Sequence, residues 1–188
     1  MRKGSGDGTT SRPRPRRPIF LRGGIHAVWI AALALLSVEA CSDAQARSPL
    51  ADAQASETAL VQSVLDAVAV RDTAVLRRFL VTRDEYEDVL WPEMPDKDYT
   101  PFEFVWSLNA TNNRKGLRQL LGTYGGLQLE VVSVELGKEP EVYESFTLYP
   151  DTKVTVRRTD TGQVGILPSF DVFVKYGRVW KLMNYDEL

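Results

Sequence analysis

The sequence predicts an α+β domain in which helices of the N-terminal half pack on an antiparallel sheet made by the C-terminal half. Three observations predict it. Apolar residues recur at helical spacing from Leu60, the texture turns β-rich from Leu127, and the chain closes on two β-rich runs about Gly177. In the closing run, Ser169 to Tyr185, polar Arg178, Lys181 and Asn184 are interspersed with Val179, Trp180 and Leu182, as in a half-buried hairpin. Period-two alternation then sends Trp180 and Leu182 into the core and Val179 and Lys181 to the outer face. With 188 residues, 44% of them hydrophobic and 26% charged, the chain has material for one globular core.

Residues 1–41 are excluded from that core because they read as an export signal. Arg12, Arg14, Arg16, Arg17 and Arg22 form a basic region, and Ala27 to Leu36 is an uninterrupted apolar run too short to span a bilayer. Val38-Glu39-Ala40-Cys41 resembles the lipobox of bacterial lipoproteins, in which the cysteine becomes the lipidated first residue. Glu39 departs from the small residue preferred there, which leaves cleavage after Ala44-Gln45-Ala46 as the alternative. Cys41 is the only cysteine, so no intramolecular disulfide or Cys-ligated cluster is available. The expected location is the cell envelope, with a membrane anchor on the periplasmic or outer side. Residues 42–55, rich in Ala, Ser, Asp and Gln, read as a flexible tether, and the body spans 56–188.

Within the body, Leu60, Val61, Val64, Leu65 and Val68 make one stripe of a first helix. Asp72 caps a second, short one carrying Val75, Leu76, Phe79 and Leu80. Thr82 and Glu85 form a capping box that opens a further turn or two, stopped by Trp91-Pro92, and prolines 92 and 95 stiffen the link that follows. Thr100-Pro101-Phe102-Glu103 predicts the start of the longest helix, with Thr100 as its cap and its end near Leu121. Val105, Leu108, Asn112, Gly116 and Leu120 then share its inner face. Asn112 and Gly116 interrupt that apolar stripe, which suits either local hydrogen bonding and close packing or the border of a cavity.

Strands are expected at Leu127–Leu136, Val142–Leu148, Lys153–Arg158, Gln163–Phe170 and in the closing hairpin, with Asp160-Thr161-Gly162 as a turn. Short connections predict an uninterrupted antiparallel meander.

Helices followed by such a meander and closed by Tyr176-Gly177-Arg178-Val179-Trp180-Lys181-Leu182 resemble the nuclear transport factor 2-like superfamily, which includes ketosteroid isomerase-like and polyketide cyclase-like proteins. The resemblance covers about residues 56–187 and implies a cystatin-like cone of curved sheet around the helices. Many members place a strand pair between the second and third helices, whereas residues 82–99 here read as helical and then irregular. The fold hosts enzymes, binding modules and scaffolds alike.

Composition narrows the chemistry. Seven of the 23 basic residues but only two of the 25 acidic ones lie in 1–41, leaving 16 against 23 and a net charge of −7 beyond it. Such a body is a poor nucleic-acid binder. His26, the only histidine, falls in the export signal, which removes histidine triads and His-ligated zinc from the mature chain. Neither a metal nor a cofactor is expected. Carboxylate and phenol chemistry remains: Asp171 with Tyr143 or Tyr149 across the sheet could form an isomerase or cyclase site. The favoured reading is a non-enzymatic domain that binds an apolar ligand or an envelope partner, with a dimer possible. Its ligand is expected against Asn112, with Trp106 near the mouth and Tyr143 or Tyr149 opposite.

Overall fold

The computed structural model describes residues 49–185, so the export signal and Cys41 lie outside the described residues. The chain is α+β, its helices preceding its strands. Helix α1 (Glu57–Ala69) is capped by Ser56, whose hydroxyl accepts from the Ala59 amide at 3.1 Å, and it buries Leu60, Val61, Val64, Leu65 and Val68 as its spacing predicts. Asp72 caps α2 (Thr73–Arg78). The Thr82 and Glu85 capping box opens α3 (Arg83–Glu85), which loosens into a π turn at Tyr86–Leu90 and two 3-10 turns at Trp91–Glu93 and Pro95–Asp98. Pro92 and Pro95 supply the fixed φ that suits the start of each 3-10 turn, and the extended Met94 before Pro95 separates the two.

Helix α4 (Phe102–Tyr124) differs from expectation at both ends. Its cap position is Pro101, one residue later than Thr100, with no side-chain cap bond, and it runs through Gly122 to Tyr124. The buried face is rotated as well. Asn113, Gly116, Leu117 and Leu120 are buried, whereas Leu108 is 49% exposed and Asn112 faces outward.

The strands do not form one meander. They divide into a three-stranded sheet ordered β1 (Leu129–Glu135), β4 (Lys153–Arg158), β5 (Val164–Leu167), and a four-stranded sheet ordered β2 (Glu141–Val142), β3 (Phe146–Tyr149), β6 (Phe173–Tyr176), β7 (Val179–Leu182). All pairings are antiparallel, but β3 pairs with β6 rather than with β4. Gly177 enters the β6–β7 turn with φ of 56°, the left-handed conformation a two-residue hairpin needs.

Two apolar clusters flank the four-stranded sheet. The first joins α1, α2 and α4 to both sheets through Leu60, Val64, Leu120, Val154, Trp180 and Leu182. The second lies on the other face, where Leu50, Ala53, Tyr86, Leu90 and Met94 meet Phe146, Leu148, Val174 and Val179. All four residues of β7 are therefore buried. Trp180 and Leu182 do enter the core predicted for them, but the face holding Val179 and Lys181 is covered by the second cluster instead of by water.

That second cluster also moves a boundary. Leu50 and Ala53, read as tether, are 2% and 1% exposed, and Gln54 exchanges two backbone hydrogen bonds of 2.8 Å with Trp180. Among the described residues packing is thus already present at Leu50, because this segment covers the edge of β7 that a terminal strand would leave open.

Candidate functional site

At the level of Asn113 the space between α4 and the strands is filled. Asn113 donates its amide to the Met183 carbonyl at 3.3 Å and accepts from the Tyr185 amide at 2.9 Å, so both ends of the buried side chain are satisfied. Tyr185, itself fully buried, donates its hydroxyl to the Leu76 carbonyl at 2.9 Å, and burial raises its pKa far above the usual phenol range. Leu117 and Leu120 complete the packing.

The space opens at the C-terminal end of α4. There a groove of about 320 Å³ is lined by Tyr124, Leu127, Leu129, Val156, Gly165 and Ile166, with Arg158 and Gln163 at its polar side. Three local features shape it. Leu129 and Val156 are inward residues of β1 and β4, Leu127 precedes β1, and Gly165, paired with Val156, contributes no side chain. A Cβ placed on Gly165 would meet nothing within 4 Å, so the missing side chain accounts for part of the opening. Arg158 is held at the rim by Asp160, at 2.7 and 3.1 Å. Strand β5 pairs only with β4 among the described strands, and its Val164 and Ile166, which alternate with Gly165 and Leu167, are 50% and 63% exposed.

The residues predicted to surround a ligand are not gathered at this groove. Asn112 lies on the solvent side of α4. Trp106 packs 6.0 Å from Tyr86, in an aromatic group with Trp91 and Phe102, and borders a separate groove between α2 and α4. Tyr143 stacks on Phe146 at 4.5 Å and donates to Glu141 at 2.9 Å; burial and then the Glu141 carboxylate push its pKa up to about 12. Tyr149 packs on Trp180 at 5.4 Å, in the first apolar cluster. The Gly165 groove left only a faint trace in the sequence, a glycine inside an otherwise β-branched and aliphatic strand.

The densest buried charge lies elsewhere. Lys181 is completely buried, and its ammonium donates to both Glu85 oxygens at 2.7 and 2.5 Å. Glu85 also accepts from the amides of Ala51 at 2.6 Å and Thr82 at 2.8 Å. Desolvation lowers the Lys181 pKa, opposed by the Glu85 carboxylate. With each carboxylate oxygen already accepting two donors, the pair joins the N-terminal segment, the α3 cap and β7 rather than presenting a reactive group.

Among the described residues, no cluster of His, Cys, Asp and Glu could hold a metal ion, and no helix is long and apolar enough to cross a membrane. Compared with models of protein families, with curated proteins and with solved structures, the chain has no significant match.

Proposed function

We propose that residues 50–185 form a non-enzymatic binding module of nuclear transport factor 2-like type, exported and tethered to a membrane through a lipidated Cys41, which takes an apolar ligand or an apolar partner segment in the groove at Gly165. The observation that carries the reading is the groove itself. It has an apolar part given by Leu127, Leu129, Val156 and Ile166, polar groups at Thr123, Arg158 and Gln163, and at about 320 Å³ falls at the lower end of small-molecule sites. The family reading is supported by helices followed by antiparallel strands and by a hairpin closing about Gly177.

The alternative, an isomerase or cyclase working through Asp171 and Tyr143 or Tyr149, needs a carboxyl facing a phenol in one cavity. Asp171, Tyr143 and Tyr149 do not line the groove at Gly165, so that reading would place its site elsewhere. Thermal-shift screening of small apolar molecules against the wild type and Gly165→Phe tests the proposal. Ligands that stabilise the wild type should lose their effect in the variant while its unliganded melting temperature is kept. Equal stabilisation of both proteins would remove the groove from the function.

A further inference from the structure

The groove between α2 and α4 combines an apolar floor with two arginines that have no carboxylate partner among the described residues. Leu80, Val81 and Leu117 are buried beneath it, Trp106 and Ala110 form part of its wall, and its volume is about 180 Å³. Arg77 rises from α2 and Arg114 from α4. Among the described residues the Arg77 guanidinium has no hydrogen-bond or ion-pair partner, and that of Arg114 donates only to the Thr111 hydroxyl at 3.1 Å. Arg83, at the groove's other end, is already neutralised by Glu87 at 2.8 Å and by Glu103. Unpaired guanidinium groups beside an apolar hollow are unusual on a body whose net charge is −7. On α4 the charge continues beyond the groove to Arg118, one turn from Arg114, whose guanidinium is again without a partner among the described residues.

We propose that this groove binds an acidic peptide segment of another protein, the floor receiving one bulky apolar side chain and Arg77 and Arg114 holding the carboxylates that flank it. Charge complementarity selects an anionic occupant, and the fork of an arginine matches a carboxylate with two parallel hydrogen bonds. Size selects a peptide. A hollow of about 180 Å³ is smaller than the roughly 300 Å³ at which drug-sized sites begin, but it suits one anchoring side chain. A row of cations running on to Arg118 suits several carboxylates in sequence rather than one. The proposal is independent of the groove at Gly165.

Calorimetric titration of the full chain with the capped peptide Glu-Asp-Phe-Asp-Glu tests it. Saturable binding that weakens with salt is expected, at least about tenfold weaker for Arg77→Gln/Arg114→Gln and for the uncharged peptide Gln-Asn-Phe-Asn-Gln. Replacing the central Phe by Ala should weaken binding likewise, and the Trp106 indole NMR signal should shift only with the Phe peptide. Both arginines are on the surface, so the double variant should keep the wild-type melting temperature. No saturable binding at millimolar peptide, equal binding by the double variant, or binding of phosphatidylglycerol vesicles in place of the peptide would each overturn the proposal.

Discussion

Lys181 carries a high local stake, as a charged side chain with 0% exposure. An ammonium with no solvent exposure is tolerable only because both oxygens of Glu85 accept from it. Lys181→Met should therefore strand a buried carboxylate and cost about 3–5 kcal/mol, read as a lower urea midpoint with unchanged slope. The two adjacent asparagines of α4 make a sharper pair. Asn113→Leu removes two hydrogen bonds and leaves the Tyr185 amide and Met183 carbonyl unpaired, a loss of about 1–3 kcal/mol, whereas Asn112→Leu should change stability by less than about 0.5 kcal/mol. If the two variants behaved the other way round, the face assigned to α4 would be wrong. The sequence did not separate them because Phe102, Phe104, Val105, Trp106 and Leu108 place apolar residues around most of the first turns, so two stripes one residue apart fit the same pattern. Glu85 was legible as a cap, but its buried partner 96 positions away was not.

Elements were legible where a local signal sufficed. The stripe of α1, the Asp72 cap, the Thr82 and Glu85 box and the turn at Gly177 all follow from residues within a few positions of one another. Pairing was not legible, because nothing in the spacing of β3 and β4 says that β3 turns to β6 instead. The second apolar cluster was missed for the same reason, as its members come from the segment at Leu50, the π turn and the sheet. Two outcomes test this arrangement. Trp180→Ala should cost about 3–5 kcal/mol, and an unchanged melting temperature would put the hairpin register off by one residue. Removing residues 1–55 rather than 1–48 should lower stability by at least about 3 kcal/mol, since it uncovers β7 and deletes the burial of Leu50 together with the backbone bonds of Gln54. Equal stability of the two truncated proteins would make that segment a passive tether after all.

At the scale of the whole molecule, the proposed anchor and the proposed groove make separate demands. If Cys41 is acylated, mass spectrometry of protein from the membrane fraction should find a mature chain beginning at that residue with lipid attached. A soluble form beginning at Arg47 would contradict the anchor and leave the groove untouched. The binding site itself was the least legible part of the sequence, since it depends on where α4 ends over the strands and on one glycine, not on any motif. Methyl NMR during titration with 1-octanol tests it most directly. Leu129, Val156 and Ile166 at the groove should shift in a saturable way while Leu60 and Leu120 in the first cluster stay still, and a Gly165→Phe protein should not respond. Shifts confined to other methyl groups, or an unaltered titration in that variant, would contradict the assignment of the groove as the binding site.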